Sequence, residues 1–509
     1  MVNTNKTDKS WLILIVLSLS AFIIAIDSTF MNVAISTLVV DLNTQLSVIQ
    51  GIIAVYTLTM ACLMLFGSKV MDIIGRKKAF VVGVIIYAIG TAIATISTNA
   101  AMLLIGWSIL EGIGAALMMP ATAAIITSKY EGQDRIFALG VWGAVGAMAA
   151  AIGPLFGGFL TTFFSWRYGF GIEVIIAIII LIYSRKITES TPRLKWKDLD
   201  VIGALLAGVG FLLIVLGTLY LNSLSTWPQV AGAVGTGLII LALFFFWQKR
   251  RINKSKEPLL DVSVFKDRNF TLGTINIIVL NLGMAGALFI IPVFLQTVTG
   301  LNAFSTGLTI MPMTIAILLF AFTANKITNH IRVNYLIAIS FISALIGALL
   351  LSNVFSFDTT ASDIIPGLVL IGIGIGLANP LLSDIIVSSV KSDKQSDASG
   401  VLNTGTNLGK SIGTALIGVI LLVGTFSALY VEIDKNYPQL GDQQIKDNIT
   451  GWVLKLKTTD LTVLRTEQTL AAEIVNNTIA KAMNQAFMGL SLIFLLGIIL
   501  SLFIRKKEN

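Results

Sequence analysis

The sequence predicts an all-α membrane protein of fourteen transmembrane helices, built as two related six-helix bundles with two further helices between them. Three observations carry this. Hydrophobic residues make up 55% of the 509-residue chain and charged residues only 12%, about half the charged share of a soluble domain. Apolar runs of about 20 residues, the length that crosses a bilayer, recur from Trp11 to Ile504 with short gaps. The basic residues are sorted between alternate gaps, as the positive-inside rule requires.

In chain order the runs fall near 11–35, 47–70, 79–97, 100–127, 136–163, 167–184, 200–221 and 229–248. Six more fall near 270–298, 303–326, 332–352, 361–390, 398–424 and 485–504. An even number puts both termini on one side. Of the 35 Lys and Arg residues, 27 then lie on that side and only Arg167 in a short loop on the other, so the termini are expected to be cytoplasmic. The first run, which contains Asp27 and lacks a small-residue cleavage site, reads as a retained helix rather than a signal peptide. The formal charge of +8 sits at loop ends, which gives no reason to expect a nucleic-acid partner.

Three segments interrupt the pattern. The loops near 185–199 and 249–269, the second containing KRRINKSKEP, are basic connections on the cytoplasmic side. The segment near 425–484 is mixed in charge and only weakly apolar, and reads as an extracytoplasmic helical hairpin inserted late in the chain. This divides the protein into a six-helix bundle over 1–190, two additional helices over 191–260, and a second six-helix bundle over 261–509 that carries the hairpin.

An internal repeat supports the two bundles. A shift of 260 residues places EGIGAALMMPATAAII, from Glu111, over IGIGIGLANPLLSDII, from Ile371, matching Gly112 to Gly372, Gly114 to Gly374 and Pro120 to Pro380. The same shift matches Gly140, Gly153 and Gly158 in the next helix to Gly400, Gly413 and Gly418. Two halves of one orientation, related by an axis along the membrane normal, are a transporter architecture.

Particular motifs identify a family. Between the second and third runs lies GSKVMDIIGRKKAF, in which Gly67, Asp72, Gly75, Arg76 and Lys77 match the loop signature of the major facilitator superfamily. AIDSTFMNVAIS, Ala25 to Ser36, and GPLFGG, with Gly153, Pro154, Gly157 and Gly158 followed by Trp166 and Arg167, resemble the helix 1 and helix 5 signatures of its fourteen-span drug:proton antiporters. The resemblance covers nearly the whole chain and implies the major facilitator fold, transport by alternating access and export driven by protons. It also implies multidrug efflux at a bacterial cytoplasmic membrane, with antibiotic resistance as the consequence. The chain departs from the pattern at three places. Ser108 stands where helix 4 normally carries an arginine implicated in proton handling, Glu173 where helix 6 usually has asparagine, and Lys410 where helix 13 more often has a small residue.

Ionisable groups inside a membrane cost about 2.5–3.5 kcal/mol on insertion scales, which makes them functional candidates. Five stand in apolar runs: Asp27, Glu111, Glu173, Asp384 and Lys410. A carboxyl in a low-dielectric cavity that binds either a proton or a cationic substrate is the simplest physical basis for antiport. Asp27, past the midpoint of its helix, is expected to face the outer half of a central cavity. Lys410 needs a carboxylate partner or a lowered pKa; an internal ion pair is the favoured reading, recognition of an anionic or zwitterionic substrate the second. The glycines of GPLFGG permit close helix packing. Asp72, Arg76 and Lys77 are expected to latch the outward-facing state; the second-half counterpart ANKITNHIR keeps Lys326 but has Asn329 at the aspartate position.

Other chemistry finds no residues. The one histidine, His330, and the one cysteine, Cys62, exclude a multi-His metal site, a His-based triad and an internal disulfide. GTNLGKS, Gly405 to Ser411, has the wrong glycine spacing for a phosphate loop. The chain is therefore read as no enzyme, without cofactor or metal, powered by the proton gradient, acting as a monomer in the lipid bilayer on amphipathic cationic or zwitterionic drugs. A carrier of one specific metabolite and a transport-inactive membrane sensor remain as alternatives.

Overall fold

The structure, a computed structural model, describes residues 11–504 except 190–191, 193, 220–226, 329, 392–393, 438 and 441–468. Among the described residues all regular elements are helical, and fourteen helices are long and apolar enough to cross a membrane. They are α1 Trp11–Val33, α2 Leu46–Ile74, α3 Arg76–Thr95, α4 Ala100–Lys129, α5 Phe137–Phe163, α6 Arg167–Ser184 and α7 Val201–Leu219. The series continues with α8 Trp227–Asn253, α9 Arg268–Thr297, α10 Ala303–Ala324, α11 Val333–Ser352, α12 Ala361–Ser388, α13 Asp397–Asn436 and α14 Leu470–Leu502. Each coincides with one of the fourteen apolar runs, and the chain is a multi-pass integral membrane protein.

The largest difference from the expected boundaries is at α13 and α14. The helix α13 has 40 residues, about 60 Å at 1.5 Å per residue, twice the thickness of the hydrocarbon core. Its end and the start of α14 are the flanks of the expected hairpin, so the insertion is continuous with the spans that carry it. Leu429, Ile433 and Ile474 form a small apolar contact between them. Glu432, 2% exposed, pairs with Lys481 and accepts a 3.2 Å hydrogen bond from Asn477 Nδ2. The middle of the hairpin, 441–468, lies outside the described residues.

Buried apolar side chains form two main clusters. One is built from residues between Ile13 and Ile187, joined by Phe289 and Val293; the other runs from Ala207 to Ile504, joined by Val33 and Leu65. The 260-residue repeat reappears in their packing. Gly112 of α4 lies against Tyr56 and Thr59 of α2, and Gly114 against Gly83 and Tyr87 of α3. Correspondingly, Gly372 of α12 lies against Met313 and Ala316 of α10, and Gly374 against Ser340 and Ala344 of α11. The small residues recur because each half needs the same backbone approach.

Two further helix pairs join the halves. On α5, Gly153 and Gly157 pack on Thr29 and Phe30 of α1, while Pro154 and Gly158 pack on Gly307 and Ala303 of α10. On α13, Gly409 and Gly413 pack on Ile278 and Leu282 of α9, while Gly418 packs on Gln50 of α2. Gln50 Nε2, 7% exposed, donates to the carbonyls of Thr414 and Ala415 at 2.9 and 3.1 Å, and Ser411 Oγ to that of Ala54 at 2.7 Å. At the other end of α5, Gly140, Gly143 and Gly146 have open space around their α-carbons. Counted at 100° per residue, these glycines continue the faces that pack on α1 and α10 further along. The halves thus meet at the Gly153–Gly158 end of α5, while its Gly140 end has room beside it and α2 stays against α13 through Leu65 and Gly400 and through Lys69 and Asp397, 4.0 Å apart.

Candidate functional site

Asp27 of α1, Glu111 of α4 and Glu173 of α6 come together inside the first half. A carboxylate oxygen from each lies within 4.8 Å of the others, and the residues are 0, 0 and 2% exposed. Trp107 Nε1 donates to Asp27 Oδ2 at 2.8 Å; Tyr87 Oη and Thr91 Oγ1 of α3 donate to Glu173 Oε2 at 2.9 and 3.4 Å. Tyr56 of α2 stacks on Trp107, ring centroids 5.2 Å apart, and Phe170 meets Trp107 edge-on at 6.0 Å. These rings close the site, so Asp27 does not open onto a central cavity as its depth along the helix led one to expect.

The local backbone explains how α4 presents its carboxylate. Leu104–Glu111 is a π-helical stretch within the span, a form that inserts a residue into the helix and is frequent at functional sites. It is seated against α3 through Gly90 and Gly106, where a Cβ on Gly90 would come 2.6 Å from the Glu111 nitrogen. Ser108, in place of the family's arginine, is fully buried and donates a 2.7 Å bond to the Ile52 carbonyl. It tethers the π-helical stretch to α2 and brings no charge.

Five polar atoms in this enclosure have no hydrogen-bond partner among the described residues: Asp27 Oδ1, both oxygens of Glu111, Glu173 Oε1 and the Tyr56 hydroxyl. No Lys or Arg pairs with the three carboxyls among the described residues. Three like charges so close cannot all persist in a water-poor enclosure. A proton on one carboxyl supplies the missing donor to its neighbour; the spacing also suits one small cation shared by all three.

The remaining candidates lie elsewhere. Asp384 is exposed on α12 and apart from the cluster. Lys410 on α13 is half-buried and has no ion pair or hydrogen bond among the described residues. This corrects the expected internal pair: the acidic clusters of the first half are enclosed there, Asp397 lies 4.0 Å from Lys69, and Glu432 is taken by Lys481.

In the loop motif, Gly67 lets α2 approach the Ala116 carbonyl of α4, and Gly75 takes φ 97° at the turn into α3, where a side chain would be strained. Arg76 Nη1 donates to the Ala124 carbonyl at 2.9 Å and Lys77 Nζ to that of Arg185 at 3.3 Å. Both cations thus serve carbonyls near the C-terminal ends of α4 and α6, where positive charge is favourable. The Asp72 carbonyl accepts from Leu194 N at 3.1 Å. Lys69 of this segment reaches out of the first half, 2.9 Å from Glu257; sequence reasoning passed over it because it lies between motif positions. Asn329 lies outside the described residues.

Comparison with known proteins agrees with this architecture. Over 84% of this chain and 83% of its own, the multidrug efflux pump LfrA of Mycolicibacterium smegmatis is 28% identical. The tetracenomycin C resistance and export protein of Streptomyces glaucescens is 24% identical over 98% of this chain and 92% of its own. In fold, the chain is similar to a crystallised bacterial homologue of the human lysosomal transporter Spinster, with a TM-score of 0.62 and 14% identity over 97% of each chain. The profile of the Major Facilitator Superfamily matches residues 17–414. Its transporter fold, in a multi-pass membrane protein whose relatives include multidrug efflux pumps, places this chain in the Major Facilitator Superfamily.

Proposed function

We propose that this protein exports amphipathic small molecules by alternating access, in exchange for protons carried by Asp27, Glu111 and Glu173. The observation that carries the reading is the enclosed carboxyl cluster itself. It has three acidic groups, four carboxylate oxygens without a donor and no paired cation among the described residues, so it must hold protons in this conformation and give them up when water enters. The names of the efflux relatives support the direction of transport and a drug-like substrate range.

The enclosure also divides the labour. Aromatic rings shut the carboxyls away from a bulky cation, so the proton site and the substrate site are separate and communicate through helix movement. The substrate path is the space beside Gly140, Gly143 and Gly146. In this reading that space opens to the cytoplasm, the side on which the charge bias places the termini. The first bundle spans 1–190 and the second 261–509, they rock about the α5–α10 and α2–α13 contacts, and 191–260 rides alongside; the protein acts as a monomer.

The test is flux in proteoliposomes. An imposed pH gradient is expected to drive uphill export of a fluorescent amphipath, and Asp27→Asn to abolish the drive. Flux indifferent to the gradient would leave a uniporter, and binding without flux a sensor. Drive by a sodium gradient alone would assign the cluster to a metal cation instead.

A further inference from the structure

Lys410 is the charged group that the proton pathway leaves unused, and its place on α13 says what it faces. Four directions can be read around this helix at 100° per residue. Gly409 and Gly413 point to α9, Ser411 and Gly418 to α2, and Leu408 and Ile412 to the cluster around Val215 of α7. Lys410 takes the fourth, between α9 and α2, together with Asn403 and Thr406, about two turns and one turn before it. The repeat gives the same answer. A shift of 260 residues places Lys410 over Ala150, on the α5 face that runs down to Gly143 and Gly146, which have open space around their α-carbons.

We infer that Lys410 is a substrate-recognition residue that binds the anionic group, carboxylate, sulfonate or phosphate, of an amphipathic anion or zwitterion in the cavity between the halves. This rests on the export reading above. A cation in a membrane helix is expensive without a counter-ion. Among the described residues, the acidic groups in the spans are enclosed in the first half, engaged with other lysines, or, as Asp384, exposed and without an ion pair. The counter-ion is therefore brought by the ligand, as a charge-assisted hydrogen bond in a space flanked by apolar helices. A neutral body fills the cavity by apolar contact, and Lys410 selects the end that carries negative charge.

The test uses three probes of one body: dansylglycine as the anion, its amide as the neutral form and dansylethylenediamine as the cation. Transport into proteoliposomes under a pH gradient is compared for the wild type, Lys410→Gln and Lys410→Arg. Loss of a hydrogen bond to a charged group predicts that Lys410→Gln slows the anion by roughly ten- to hundredfold, while neutral and cationic probes change less than about twofold. Lys410→Arg keeps most anion transport, which separates charge recognition from misfolding. Equal loss of all three probes in both variants, or an unchanged anion rate in Lys410→Gln, overturns the inference. A parallel arm with lysophosphatidylglycerol distinguishes the source of the anion: Lys410-dependence of that lipid alone identifies a headgroup, and of dansylglycine a free solute. Equilibrium binding of dansylglycine to purified protein keeps the question separate from coupling. A wild type that binds it through Lys410 but moves no probe with the gradient contradicts proton-driven export and leaves Lys410 as an anion site.

Discussion

Trp107 holds Asp27 through a 2.8 Å hydrogen bond from its indole nitrogen, four residues before the Glu111 carboxyl that stands beside the same aspartate. One turn of α4 therefore carries both an anchor for the α1 carboxyl and its neighbour in the cluster. A shift of that turn moves the two acidic groups relative to each other, which in the proposed exchange links helix motion to proton transfer.

Trp107→Phe keeps the ring that packs on Tyr56 and removes the donor. A hydrogen bond to a charged group contributes about 1.5–3 kcal/mol, so gradient-driven transport is expected to fall about tenfold or more, with a melting temperature lower by only a few degrees. Parallel measurement of efflux rate and melting temperature checks this; equal loss of both would make Trp107 a packing residue only.

Gly90→Ala places a methyl group 2.6 Å from the Glu111 nitrogen and the Gly106 carbonyl. Overpacking of this kind costs about 1–3 kcal/mol, and here it displaces the π-helical stretch. A melting temperature lower by several degrees and impaired transport are expected, whereas Gly143→Ala, with open space at its α-carbon, leaves stability unchanged.

Lys69 ties the end of α2 to Glu257, with the pair only partly exposed. Lys69→Glu is expected to weaken transport and the double exchange Lys69→Glu/Glu257→Lys to restore part of it, with a coupling of about 0.2–1 kcal/mol. Spin-label distances between the Gly140 end of α5 and the Ala324 end of α10 in the three variants would report the change in conformational balance.

Asp261 lies between α8 and α9. Burial pushes its carboxyl up, but the hydrogen bonds from Lys394 and Ser263 outweigh this and leave it below the ordinary aspartate value. A lowered folded-state value contributes stability that is present above the unfolded value of about 3.9 and lost as pH falls through the folded one. Asp261→Asn is therefore expected to lower the melting temperature slightly at pH 7, with the difference disappearing towards pH 3.

The spans were legible because apolar runs and lysine sorting are local properties of a chain in a membrane. The helical character near 425–484 was legible too, but not that its flanks continue α13 and α14, since Glu432 and Lys481 lower the hydropathy while the helix continues through their pairing. Asp27 and Glu111 stood out as charges in apolar surroundings, and Glu173 less so because its depth near the start of α6 suited the interface as well. That the three meet depends on the packing of α1, α4 and α6, which no spacing encodes. Tyr87, Thr91 and Trp107 look like any other residues of apolar helices, and that Lys410 has no ion pair among the described residues depends on where the folded helices place their carboxylates.

The central claim is that the enclosed carboxyls exchange protons for substrate, and proton release on substrate binding tests it most directly. Purified protein in weakly buffered solution with a pH indicator is titrated with a transported amphipath. The account predicts release of protons by the wild type and a clear reduction in Glu111→Gln and in Asp27→Asn, with binding retained. Equal release by the wild type and both variants, or binding with no release at all, would contradict it.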